Sequence, residues 1–219
     1  LANTTVGAGM ITERRTGDQR QDHWDDVPQM EDLSHQESRV TAEERAARFG
    51  QQPVTVLLTG LPGAGKTTTG LGLERRLFDR GQAAAMLDGQ NLRLGISRDL
   101  GFSDEERSEN LRRASELARA VNDAGLICVL AMVAPREEIR QKAAEVIGAD
   151  RTIVVHLDPP EQVCRTRDSE GHYGEGRTQL EYEPPVAPDL RIDTSTASAD
   201  EVVTRIMELL EQRELIARA

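Results

Sequence analysis

The sequence predicts an α/β fold, a parallel sheet with helices on both faces. Three observations predict it. From Pro53 onward, short apolar runs alternate with amphipathic segments of helical length. The first run, "VTVLLT" (54–59), leads straight into "TGLPGAGKTTTG" (59–70), a glycine-rich turn at the mouth of a helical segment. The stretch before Pro53 is of another kind. Residues from about 12 to 50 are polar and charged, and such a composition cannot bury much core.

Taken in order, residues 12–52 read as a polar linker with one short helix at 41–49. Thr41 caps it and Glu44 closes a capping box. Trp24, the one tryptophan, sits in this linker and reads as an anchor on the neighbouring domain. Residues 53–219 read as that domain. "VTVLLT" is long enough only for a buried strand. A helix follows at 65–80, then a second strand "AAAMLD" at 83–88. "SDEERSENLRRASELARAVNDAG" (103–125) is a strong helix, with Ser103 and Glu106 as a capping box and Gly125 as its stop. "LICVLAMV" (126–133) is the third strand, 136–148 a helix, and "TIVVHLD" (152–158) the fourth strand. A short helix near 161–167 precedes a Gly/Pro-rich loop reaching 189. "LRIDT" is the last strand and 199–214 the last helix.

Composition excludes several function classes. A net charge of −11 argues against a general nucleic-acid binder, which needs a basic face. Aromatics at 3% give no stacking platform for single strands. Cys128 and Cys164 fall inside apolar runs and read as buried thiols in a reducing compartment. No apolar run has the length of a membrane span, so no membrane partner is expected and the cytoplasm is the default address. The four histidines show no metal-ligand spacing.

Gly60, Gly65, Lys66 and Thr67 fit G-x-x-x-x-G-K-S/T, with a strand before and a helix after. Glycines, Gly63 among them, let successive backbone N–H groups turn inward around an anion. The following helix presents its N-terminus to the same phosphates. Lys66 reaches the β/γ-phosphates, and the Thr67 hydroxyl ligates Mg²⁺. The fold is therefore of the P-loop NTPase type, and the loop holds a nucleotide. The absence of an Asn-Lys-x-Asp signature tilts it toward ATP.

The second strand ends in "LDGQNLR" (87–93), on the same rim of a parallel sheet as the loop. Asp88 thus points a carboxylate at the phosphates, where it receives a proton or holds Mg²⁺, unless it is a plain Asp-Gly turn. On the 103–125 helix, Leu111, Ala114, Leu117, Ala118 and Val121 form one apolar stripe. Arg107 and Asn110 continue it toward the N-terminus. An arginine and an asparagine in line with a buried face need partners, and an anionic ligand in the cleft supplies them. Arg93 and Arg98 also lie near this cleft. Arg112 and Arg113 read better as solvated. Phe102 is either a staple against the helix or a surface for a base.

"DGQNLR" and "RDLGFSDEERSENLRR" together resemble the adenylylsulfate kinase family, and "VAP", "VCRTRD" and "PDLRIDT" extend the likeness over about 53–213. The resemblance implies transfer of the ATP γ-phosphate to the 3′-hydroxyl of adenylyl sulfate. It implies that Gly60, Gly63, Ala64, Gly65, Lys66, Thr67, Thr68 and Arg167 bind ATP. It makes Lys66 and Asp88 the catalytic pair, with Thr67 and Asp88 at Mg²⁺. Asp88, Arg93, Phe102, Arg107 and Asn110 then hold adenylyl sulfate, with Phe102 stacking on its adenine. "LANTTVGAGMI" (1–11) resembles the last strand of the GTP-binding sulfate adenylyltransferase subunit, and "HW" (23–24) resembles the junction in bifunctional fusions. With Leu1 in place of Met, this implies a fragment of a fusion and sulfate adenylyltransferase subunits as partners. A homodimer is a further arrangement to entertain.

Five positions depart from the family pattern. Its second aspartate in Asp-Gly-Asp-Asn is Gln90, its Arg-His-Gly histidine is Leu94, and its serine before proline is Ala134. Its lid lysines fall at Gly174 and Glu175, with Arg177 a weak stand-in that reads better as a solvated loop arginine. Losing donors at a transferred phosphoryl costs rate, on the order of 10²-fold each. The leading reading is an active kinase. A degenerate domain that binds nucleotide and regulates a fused partner, and a kinase for another acceptor, stand beside it.

Overall fold

The computed structural model describes residues 23–26, 34, 36–169, 171–174 and 180–217. Five strands form one parallel sheet: β1 (Thr55–Thr59), β2 (Ala84–Asp88), β3 (Ile127–Ala131), β4 (Thr152–Leu157) and β5 (Leu190–Ile192). Their order is β2-β3-β1-β4-β5, so β1 is central and the chain crosses over it between β3 and β4. The helices are α1 (Ala42–Phe49), α2 (Lys66–Asp79), α3 (Gly89–Arg93), α4 (Asp104–Asp123), α5 (Glu137–Ile147), α6 (Glu161–Arg167) and α7 (Ala199–Gln212).

The period-2 alternation of β1 divides the core. Val56 and Leu58 pack with Leu73 and Leu77 of α2 and with Val203, Ile206 and Leu210 of α7. Leu57 faces the other way, toward Leu111, Ala114 and Ala118 of α4 and Ile139 and Ala143 of α5. All of these are buried. Each fully buried leucine or valine contributes roughly 1.5–3 kcal/mol. Helices thus cover both faces, as the sequence predicts.

The predicted caps are present. Thr41 with Glu44 and Ser103 with Glu106 form complete capping boxes, and Gly125 turns the chain at φ 86°. Cys128 and Cys164 are buried free thiols. Trp24 is anchored as expected: its Nε1 donates to Ser108 Oγ at 2.9 Å and its ring packs on the α4/α5 core. Residues 1–11, Glu175 and Arg177 lie outside the described residues. No described helix is long and apolar enough to cross a membrane.

Two elements differ from expectation. The segment after Asp88, to which the sequence reading assigns no element, is the short helix α3, and a 3₁₀ turn at Ala149–Arg151 leads into β4. Arg112 and Arg113 are not simply solvated. Both clamp Glu109, which is buried: Arg112 Nε and Arg113 Nε each donate to it at 2.8 Å. Arg113 also reaches Asp99 at 2.6 Å. Burial works against the charge of Glu109, yet the bonds from Arg112 and Arg113 outweigh it and hold its carboxyl below the usual value.

Candidate active site

A cleft of about 680 Å³ opens along the C-terminal rim of the sheet. This is the edge where a parallel sheet with a central crossover binds ligands. The turn after β1 forms its floor. Gly60 and Gly63 adopt φ 148° and 80°, conformations that favour glycine. A Cβ on Gly60 would sit 2.3 Å from Leu157 O, and one on Gly63 2.3 Å from Cys164 O. The loop is therefore pressed back against β4 and α6, which keeps it thin behind the cleft. Gly63, Gly65, Lys66, Thr67 and Thr68 line the cleft, whereas Gly60 and Ala64 stand behind it. Lys66 Nζ donates to Gly60 O at 2.9 Å and Leu61 O at 2.8 Å.

Asp88 ends β2, and its two carboxylate oxygens face different partners. Oδ1 caps α3 by accepting from Gln90 N at 2.8 Å, and Oδ2 accepts from Thr67 Oγ1 at 2.8 Å. One oxygen serves the fold and the other faces the loop. A hydroxyl and a carboxylate side by side are hard oxygen donors of the kind Mg²⁺ takes alongside phosphate and water. The loop geometry and this pair fit Mg²⁺-ATP.

The opposite wall carries Gln90, Arg93, Phe102, Arg107 and Asn110. The Arg93 guanidinium lies 4.6 Å from the Phe102 ring centre and that of Arg107 5.4 Å. Arg93 Nε donates to Gly101 O and Arg107 Nε to Phe102 O, each at 2.9 Å. Burial first, then the Arg107 charge, lowers Arg93 to about 10, so it stays a cation at neutral pH. Asn110 Nδ2 reaches Gly89 O at 3.2 Å, while its buried Oδ1 has no hydrogen-bond partner among the described residues. A buried acceptor left open on a cleft wall fits a ligand donor. Arg98 is exposed and does not line the cleft, contrary to expectation.

Arg167 lines the far end and binds Thr194 through its backbone carbonyl at 3.1 Å. Thr194, Asp168, His172, Ala197 and Val202 also line the cleft, and sequence reasoning singled out none of them. For Thr194 a signal existed, since "LRIDT" ends at the same rim. His172 sits in a Gly-rich loop without periodicity. Ala134 lines the cleft at φ 44°, its carbonyl held by buried Arg140 at 2.6 Å.

The adenylylsulphate kinase family model matches residues 52–193. The chain belongs to the adenylylsulfate kinase family. Within it, an adenylyl-sulfate kinase of Pseudomonas aeruginosa is 38% identical over 194 residues, 84% of this chain and 99% of that one. A bifunctional enzyme CysN/CysC of Rhodopirellula baltica is 47% identical over 225 residues, covering 99% of this chain but 35% of that protein. The chain thus spans about a third of the bifunctional relatives it matches. Among solved structures, the Mycobacterium tuberculosis APS kinase CysC in complex with AMPPNP and APS has a TM-score of 0.69 at 37% identity. The likeness covers 74% of this chain and 99% of that one.

Proposed function

We propose that this adenylylsulfate kinase family member transfers the γ-phosphoryl of Mg²⁺-ATP to the 3′-hydroxyl of adenylyl sulfate, giving 3′-phosphoadenylyl sulfate and ADP. The observation that carries the reading is the shared cleft: the phosphate loop and the arginine–phenylalanine–asparagine wall face one space. Phosphoryl transfer asks little covalent chemistry of a protein and much positioning and charge compensation. Lys66 and the α2 N-terminus meet the donor phosphates. Arg93 and Arg107 meet the acceptor's anionic groups, Phe102 its base, and Asn110 Oδ1 a donor on it. Thr67 and Asp88 would hold Mg²⁺, which when bound neutralises charge on the β- and γ-phosphates. As the acceptor oxygen bonds to phosphorus and the bond to the β-phosphate breaks, the hydroxyl proton leaves toward Asp88 or water.

Loss of the lid lysines does not by itself favour the degenerate reading, because Lys66, Thr67 and Asp88 are retained and meet in the cleft. The 47% identity to a bifunctional CysN/CysC enzyme supports sulfate adenylyltransferase as the fused partner. The test is ADP release from Mg²⁺-ATP and adenylyl sulfate. Turnover that Lys66→Ala abolishes is expected. Tight binding of both ligands without turnover by the unaltered protein would replace this reading with a scaffold.

A further inference from the structure

Residues 171–174 form a turn beyond α6, closed by Gly174 N donating to Gly171 O at 3.1 Å. It is tied to the end of α6, because Tyr173 N donates to Asp168 Oδ2 at 3.0 Å. The two side chains at its centre reach different halves of the cleft. His172 meets the acceptor wall, with its ring edge-on to Phe102 at 6.0 Å and its Nε2 3.5 Å from Gln90 Nε2. Tyr173 meets the phosphate loop. Its hydroxyl donates to Pro62 O at 3.0 Å, and the Arg165 guanidinium lies 4.5 Å from its ring centre. Burial raises the phenol above its ordinary value, so it remains a donor at neutral pH.

The bond to Pro62 O constrains more than one atom. The Pro62–Gly63 peptide is planar and trans, so its carbonyl and its N–H point to opposite sides. Tyr173 fixes the carbonyl on its own side and thereby aims the Gly63 N–H away from itself. Gly63 lines the donor cleft, Tyr173 lines an adjoining cavity of about 820 Å³, and Pro62 borders both. The peptide lies where the two meet. Nothing local prevents it from turning over, since glycine accepts either sign of φ and proline restricts φ but not its own ψ. A turned peptide would present a carbonyl oxygen to a phosphate.

We infer that Tyr173 is a positioning residue that locks the Pro62–Gly63 peptide with its N–H toward the donor phosphates, and that His172 anchors the same turn to the acceptor wall. This rests on the nucleotide-binding reading above and gives a role to a pair of adjacent residues at the base of the altered lid. It explains how a lid without its lysines still acts on phosphoryl transfer: through the shape of the loop rather than by a charge on the phosphoryl.

Tyr173→Phe removes the hydroxyl and keeps the ring under Arg165. By calorimetry with Mg²⁺-ATP it should weaken binding about fivefold or more, the worth of one lost hydrogen bond to a preorganised loop. Adenosine, which carries no phosphate, should compete as it does with the unaltered protein, and the thermal midpoint should hold. His172→Ala should raise KM for adenylyl sulfate and leave ATP affinity in place. ATP affinity of Tyr173→Phe within twofold of the unaltered protein, or equal weakening of ATP and adenosine, would overturn the inference. Failure of the unaltered protein to bind ATP would instead overturn the nucleotide reading beneath it.

Discussion

Thr67 Oγ1 donates to Asp88 Oδ2 across 2.8 Å, joining the first turn of α2 to the end of β2 at the cleft floor. Nothing in the chain between them brings these residues together, since 21 positions separate them. The parallel sheet does so, by ending β1 and β2 on the same rim.

Asp88→Asn tests what that carboxylate does. An asparagine oxygen still accepts from Gln90 N and caps α3, so the fold should survive with its thermal midpoint nearly unchanged. Turnover should fall roughly 10²-fold or more, as for removal of a general base or a charge at the reacting phosphoryl. If Asp88 organises the metal, the Mg²⁺ concentration giving half-maximal rate should rise. If it takes the proton, turnover should fall with the Mg²⁺ dependence intact. Near-normal turnover would remove Asp88 from the mechanism.

Much of this site is legible in the sequence because regular elements carry it. The loop motif needs only a strand before it and a helix after, and Arg107 and Asn110 declare themselves by continuing an apolar stripe. Where the reading failed, the partner was off the pattern being read. Arg112 and Arg113 looked solvated because the stripe was read as apolar positions only. Their partner Glu109 lies three and four residues back on the same helix, a spacing that could have revealed the clamp. α3 was missed because five residues are too few to show a period. His172 and Tyr173 reach partners 82 and 111 residues away from within an irregular loop, and no local pattern encodes that.

Arg107→Ala should separate the two ligands. Its guanidinium bonds the Phe102 carbonyl and lies over that ring, on the cleft wall it shares with Arg93 and Asn110. Losing one charged hydrogen-bond donor to an anionic ligand costs about 1.5–3 kcal/mol, or roughly 10- to 100-fold in affinity. Adenylyl sulfate should weaken by that factor while ATP binding stays nearly unchanged. Equal losses for both ligands, measured by separate titrations, would contradict the assignment.

The Glu109 clamp predicts a pH dependence of stability. Its carboxyl is held below the ordinary 4.5 in the folded protein, so the folded state favours the ionised form. A depressed carboxylate stabilises fully above its unfolded value and loses that contribution as pH falls through the folded one. Glu109→Gln should therefore be less stable than the unaltered protein at pH 7, by about 1–3 kcal/mol. The gap should persist down to about pH 5 and close under more acidic conditions. Denaturant titrations at a series of pH values check this. A gap that widens as pH falls would show that the carboxylate is not what Arg112 and Arg113 stabilise.

Trp24 is the one tryptophan in the chain, so intrinsic fluorescence reports on residues 23–26. The ring packs on the α4/α5 core and its Nε1 bonds Ser108, the neighbour of Arg107. If this segment folds with the domain, the denaturant transition followed by Trp24 emission should coincide with that followed by far-ultraviolet circular dichroism, as one cooperative unit requires. Trp24→Phe keeps an apolar ring but loses the donor to Ser108, and should cost about 1 kcal/mol. A fluorescence change complete well before the helices melt would mean that 23–26 detaches on its own. The same substitution would then leave the stability of the domain unaltered.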